Sequence, residues 1–240
     1  DLSDQVSPAV VNIATSVSVK DTTTGDLPTF PPGSPFEEFF KDFNDRGPSR
    51  RPSTSLGSGF IIGDNGLIVT NNHVIEGAEE ITVFLPDERE FSAVLIGRDT
   101  KTDLAVLKVE ADEEKLPFVT FGDSDGLRVG DWVLAVGNPF GLGGTVTAGI
   151  ISARNREIGL SRYEDYIQTD ASINQGNSGG PLFDMNGDVI GINTAILGQS
   201  GSIGIGFAIP SNSASLVIDQ LLEFGETKRG WLGVRIQTVT

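Results

Sequence analysis

The chain has 240 residues, 38% hydrophobic and 21% charged, enough for one large or two modest globular domains. Its net charge of −16 comes without a basic stripe, which argues against a nucleic-acid partner. With no cysteine it has no disulfides, thiol nucleophile or cysteine-ligated zinc, and no apolar run approaches the ~20 residues that span a bilayer.

The first residues, DLSDQVSPAVVNI, carry neither a basic n-region nor an apolar core, so the chain reads as cytosolic or as relieved of a signal sequence. AVVNIATSVSV (9–19) is β-branched, follows Pro8 and predicts a strand. Residues 21–55 then hold six of the twelve prolines among many Ser, Thr and Asp, a long loop. Within it Phe36, Phe39, Phe40 and Phe43 recur at helical spacing. That stripe either packs on its own domain or docks on another subunit or cleft. From residue 57 short strands follow quickly. SGFIIGDNGLIVT turns at Asp64-Asn65-Gly66, and EITVFL, EFSAVLIG and DLAVLKVE come after it. Beyond Pro117 the rhythm repeats in DWVLAVGNP, GTVTAGIISAR, YEDYIQTDA, GPLFDMNGDVIGINTAI and GIGFAIP. Two successive sets of about six strands predict two packed β-barrels. The predicted units are an N-terminal barrel over 1–117 and a C-terminal barrel with its helix over 118–225. Residues 226–240 remain as a linker and tail. The helix is SNSASLVIDQLLEFG, capped by Ser211 or Ser213 and stopped by Gly225. Its predicted apolar stripe is Leu216, Val217, Gln220, Leu221 and Phe224.

His73, in TNNHVI, is the only histidine, placed where a strand ends and the chain turns. Any site with two histidine ligands is excluded; carboxylates alone could still hold a metal, but no EF-hand spacing occurs, and no metal or other cofactor is expected. If the protein uses imidazole as a base, His73 is that base. Ser178 lies in NQGNSGGPL, where glycines leave room for a carbonyl to approach the backbone. A serine nucleophile needs a base within hydrogen-bond reach, an orienter for that base, and N–H donors for the oxyanion. GNSGG also fits the nucleophile elbow, but that family places its histidine after the serine, and none follows Ser178. An Asp–His–Ser order would come with a parallel α/β sheet, against the strand-rich pattern. The order left is His–Asp–Ser. Several carboxylates lie between 73 and 178. Asp103, at the mouth of the apolar strand TDLAVLKV, suits the role; Asp99 sits in a polar stretch and reads as solvated, and Asp123 and Asp125 read as turn residues.

TNNHVI, TDLAVLKV and GNSGGPL, with QTDASINQ and GINTAI around them, resemble the HtrA/Deg serine proteases of the chymotrypsin-like clan, over about residues 5–224. The resemblance implies an all-β fold of two perpendicular six-stranded barrels with a C-terminal helix and the active site between the barrels. It implies His73 as base, Asp103 as orienter and Ser178 as nucleophile. The oxyanion hole would be built from the amides of Gly176 and Ser178 around Asn177. Digestive relatives have aspartate where this chain has Asn177, and there it pairs with a new N-terminus; a neutral Asn177 implies control by moving loops instead. Arg156 resembles the arginine that relays such a signal. Thr194, Ala195 and Ile196 would edge the substrate channel, Ile173 would line a wall, and Ile205 would fill the base of the primary pocket. This implies cleavage after small aliphatic residues.

The resemblance further implies an ATP-independent endopeptidase for misfolded or unfolded proteins, a homotrimer or an assembly of trimers, and the bacterial periplasm. RGWLGVRI looks like the opening of a PDZ domain, cut short. The aromatic stripe fits the long first-barrel loop of this family, which reaches a neighbouring trimer. Two other readings are a binding chaperone whose loops hold the site inactive and a small-ester hydrolase, the latter disfavoured by the chain order.

Overall fold

The computed structural model describes residues 1–16, 55–111, 115–138, 144–159, 163–174, 176–196, 202–230 and 233. The predicted aromatic stripe at 36–43 and most of the RGWLGVRI tail lie outside these residues.

Among the described residues, twelve strands form two closed six-stranded barrels. The first contains β1 (Val10–Ser16), β2 (Ser55–Gly63), β3 (Leu67–Thr70), β4 (Glu80–Phe84), β5 (Glu90–Asp99) and β6 (Leu104–Val109). The second contains β7 (Trp132–Gly137), β8 (Thr145–Arg156), β9 (Tyr166–Thr169), β10 (Pro181–Phe183), β11 (Val189–Ile196) and β12 (Gly206–Pro210). All ladders are antiparallel, in the order β1-β2-β3-β6-β5-β4 and β10-β11-β12-β9-β8-β7. Among the described residues, closure leaves no long unpaired edge.

Several strands are apolar on both faces because each face has a core to fill. On β6, Ala105, Leu107 and Val109 point into the first barrel, while Leu104 and Val106 join a second cluster between the barrels. Leu182 and Phe183 on β10 divide the same way. The central cluster takes Phe60, Val69 and Val106 from one barrel, and Val136, Ile192 and Phe207 from the other.

A five-residue helix, α1 (Leu2–Val6), precedes β1, and one helical turn, α2 (Asn72–Ile75), follows β3. The long helix α3 (Ser211–Phe224) packs on β5, β6, β11 and β12. Its buried face is Ser211, Ala214, Ile218 and Leu221. Of the predicted stripe, Leu221 is buried and Val217 packs against the central cluster, whereas Leu216 is 68% exposed and Phe224 also faces solvent. The 3-4-3 spacing of small and branched residues fits against the strands, and the bulkier Leu216 and Phe224 are turned away. Nor does a serine side chain cap the helix. Pro210 is the N-cap residue, and the Ser211 hydroxyl instead donates to the carbonyl of Gly122 at 2.7 Å. Gly225 ends it at φ +73°, its N–H bonded to the Leu221 carbonyl.

After the helix the chain returns to the first barrel. Arg229 grips both carboxylate oxygens of Asp99, and the hydroxyls of Thr227 and Thr102 bond the same carboxylate. The Arg229 guanidinium also stacks 4.6 Å from the ring centre of Tyr163. Asp99, expected in solvent, is 5% exposed.

Candidate active site

Asp103 ends the turn that leads into β6, with a left-handed backbone at φ +58°. Aspartate tolerates that conformation better than most residues. The turn is fastened to the segment after β3: the Asp103 carbonyl accepts from the Asn72 N–H at 3.1 Å and from Asn71 Nδ2 at 2.8 Å. Its carboxylate is then fully engaged. Oδ1 accepts the His73 backbone N–H at 2.9 Å; Oδ2 lies 2.6 Å from His73 Nδ1 and accepts the Thr194 hydroxyl at 2.9 Å. A carboxylate only accepts, so Nδ1 carries the imidazole proton and Nε2 presents a lone pair. His73 sits on α2, the helical turn that follows the end of β3. The imidazole is 44% exposed and the Asp103 carboxylate 28%, so the pair borders open solvent.

Thr194 reaches Asp103 through an irregularity. Across the β11–β12 ladder Asn193 pairs with Ala208 and Ala195 with Phe207, leaving Thr194 as a β-bulge. A bulge re-aims a side chain that strict alternation would have pointed elsewhere. The family resemblance places Thr194 beside substrate, but its hydroxyl is turned to the acid. Ala195 and Ile196 follow as backbone partners of Phe207 and Gly206.

The neighbouring residue, Asn193, holds the serine loop: its carbonyl accepts the Gly179 N–H at 2.8 Å. Gly179 (φ +84°) presses so closely on the first barrel that a Cβ would lie 2.2 Å from the Ser58 carbonyl oxygen and 2.3 Å from Thr70 Oγ1. Only glycine fits there. Adjacent residues of one strand thus bind the Asp103 carboxylate and the residue after Ser178. Ser178 is half-buried, and its carbonyl accepts the Ser58 N–H at 2.9 Å. Just before it, Gly176 has φ +100°, and the Asn177 N–H bonds the Asn174 carbonyl at 3.0 Å.

Asn177 is buried against Gly137, where an added Cβ would lie 2.5 Å from its Oδ1, and its Nδ2 donates to the Ser172 carbonyl at 3.4 Å. Asn177→Asp would put a carboxylate against that carbonyl. Burial is expected to push the new carboxyl upward, so the charged form is disfavoured in the fold. The variant should be near wild type in stability around pH 4 and lose about 3 kcal/mol as pH rises to 8, read from urea melts across that range. A loss independent of pH would point to packing instead.

Ile173 is buried in the second-barrel core and lies against Gly206, where an added Cβ would meet its Cγ1 at 2.6 Å; Ile205 is half-buried against the central cluster. Arg156 donates through Nε to Gln168 on β9 at 3.0 Å, whereas Arg154 is tied to the Leu127 carbonyl at 2.7 Å. The Tyr166 hydroxyl is pushed up in pKa by burial and by the charges of Glu164 and Asp103. Among the described residues no group of three or more His, Asp or Glu is gathered as for a metal ion, and no helix is long and apolar enough to cross a membrane. Two residues that sequence reasoning did not pick out as part of the site are Ser58, in an ordinary-looking strand, and Asn193. Asn193 lies within the GINTAI motif without standing out in it; for Ser58 the only hint is its place between two glycines.

Residues 57–192 match the trypsin-like peptidase domain family. A probable periplasmic serine endoprotease DegP-like of Brucella suis biovar 1 (strain 1330) is 50% identical over 266 residues, covering 100% of this chain and 52% of that protein. A protein of the same name from Rickettsia conorii (strain ATCC VR-613 / Malish 7) is 50% identical over 253 residues, covering 100% and 49%. The chain spans about half the length of these curated relatives. Among solved structures, the HtrA-type protease AlgW with a decapeptide superposes with a TM-score of 0.80 at 47% identity, over 100% of this chain and 72% of that one. AlgW with a tripeptide gives 0.80 at 46%, over 100% and 68%.

Proposed function

Because the chain belongs to the trypsin-like peptidase family, and within it to the HtrA-type proteases, we propose that it is a serine endopeptidase built on Ser178, His73 and Asp103. The observation that carries this reading is the Asp103 carboxylate, bonded at once to the His73 backbone, the His73 ring and Thr194. That grip fixes the Nδ1–H tautomer and aims Nε2 as the base. Ser178 Oγ attacks a peptide carbonyl as Nε2 takes its proton. The oxyanion is stabilised by the N–H groups of Gly176 and Ser178, and His73 then returns the proton to the leaving amine. Water repeats the cycle on the acyl-enzyme. Asp103 stays ionised and stabilises the imidazolium.

The substrates in this reading are unfolded or misfolded proteins, cleaved without ATP after small aliphatic residues in a pocket bounded by Ile173, Ile205 and residues 194–196. The working place is the periplasm, in keeping with the names of the relatives, and the assembly is a trimer or a multiple of it. Arg156, bonded to Gln168 on β9, would carry a regulatory signal to Asn177 and Gly176.

The test is incubation with a permanently unfolded protein, mapping of the new termini by mass spectrometry, and labelling with a fluorophosphonate. Internal cuts after Val, Ala or Ile and a label on Ser178 are expected. Cuts dominated by Lys or Arg would overturn the pocket assignment. Suppressed aggregation with neither cuts nor label would overturn the protease in favour of the chaperone reading.

A further inference from the structure

We propose that Ser58, a residue of the first barrel, is a positioning residue for the oxyanion hole of the second; this rests on the protease reading above. Ser58 lies on β2, fully buried, and every polar group it has is used across or beside the barrel boundary. Its hydroxyl accepts the Asn138 N–H at 2.8 Å, so the hydroxyl proton goes to its other partner, the Gly176 carbonyl, at 2.5 Å. Its N–H donates to the Ser178 carbonyl at 2.9 Å, and its own carbonyl accepts the Thr70 hydroxyl at 2.7 Å.

The consequence concerns the tripeptide Gly176–Ser178, which carries both proposed N–H donors. One residue fixes it at both ends, by the Gly176 carbonyl and by the Ser178 carbonyl. The peptide linking Gly176 to Asn177 is held on both sides, its oxygen by Ser58 and its N–H by the Asn174 carbonyl. Gly176, at φ +100°, has no Cβ to restrict its backbone rotation. Without an anchor on its carbonyl that peptide has other orientations open to it. The anchor is itself braced: Asn12 Nδ2 donates to the Asn138 carbonyl at 2.9 Å, so Asn138 is gripped on both sides from the first barrel. The side chain is also limited in size, because Gly180 packs so that an added Cβ would sit 3.3 Å from Ser58 Cβ. A small residue with a hydroxyl meets both demands.

The test is Ser58→Ala in the whole 240-residue chain, on a chromogenic peptide, beside the unsubstituted chain and Ser178→Ala. Removing a direct oxyanion donor costs about 10²–10³ in kcat. Loss of an anchor one step away is expected to lower kcat about 10- to 100-fold with KM within about twofold. The affinity of a peptide boronate, whose adduct on Ser178 is tetrahedral, should fall in parallel. Ser58→Cys, with a weak donor of similar shape, should fall in between and serves if the alanine variant does not fold. A folded variant with kcat within twofold of wild type, or a loss confined to KM, overturns the proposal. Absence of Ser178-dependent cleavage in the unsubstituted chain counts instead against the protease reading. In that event a crystal structure of Ser58→Ala decides: a Gly176 carbonyl that has not moved overturns the positioning role, and a rotated one supports it.

Discussion

Ser178→Ala is expected to lower turnover of an unfolded protein about a million-fold, and adding His73→Ala should cost almost nothing more. The two groups act as one unit, so the second loss has no function left to remove. Asp103→Asn should be milder, about ten-thousand-fold, and for a reason written in the hydrogen bonds. Both carboxylate oxygens face donors: the His73 N–H on one side, His73 Nδ1–H and the Thr194 hydroxyl on the other. An amide has one acceptor and one donor end. If its NH₂ faces the His73 backbone, two donors collide. If it faces the ring, Nδ1 must give up its proton and Nε2 becomes an N–H, the wrong tautomer for a base. Asparagine also tolerates the left-handed backbone at 103, so the loss would be chemical rather than conformational. Steady-state kinetics alongside thermal melts check all three variants. A folded Asp103→Asn enzyme within tenfold of wild type would refute the orienting role.

Arg229→Ala should produce the largest change in stability. Burial pushes the Asp99 carboxyl up, but hydrogen bonds from Arg229 and Thr102 and the Arg229 charge outweigh it and hold the pKa at about 2. The depressed value means stability that is fully present above the ordinary carboxylate pKa and lost as pH falls through about 2, worth about 2 kcal/mol. Removing the cation leaves a buried carboxylate with only neutral donors, the Thr102 and Thr227 hydroxyls and the Lys101 N–H, at a cost of about 3–5 kcal/mol at neutral pH. Asp99 then gains by protonating, so the deficit should shrink below about pH 4. Urea melts between pH 3 and 7 measure this, with Asp99→Asn as the milder comparison. An equal deficit at both ends of the range would show that packing against Tyr163, not charge, anchors the tail.

The barrels were legible because short β-branched runs and the turn residues between them are local signals, and twelve short strands have few ways to close. The candidate triad was legible because a single histidine and a chain order left little choice, and family resemblance did the rest. The helix stripe was legible in part: Leu221 and Val217 do pack inward, but Leu216 and Phe224 drew the stripe away from Ala214 and Ile218, which complete the contact. Asp99 looked solvated because its cation stands 130 positions away in sequence, beyond any local pattern. Ser58 was invisible for the same reason: its hydroxyl partners lie 80 and 118 positions away.

The bulge at Thr194 sets two kinds of selection against each other. A change that straightened β11 would complete its ladder with β12 and favour the barrel, yet it would turn the threonine hydroxyl away from Asp103. Lineages screened only for robustness would drift toward the regular strand, and lineages screened for turnover would keep the defect. The same irregularity that interrupts the β11–β12 ladder therefore supplies the hydroxyl bonded to the Asp103 carboxylate.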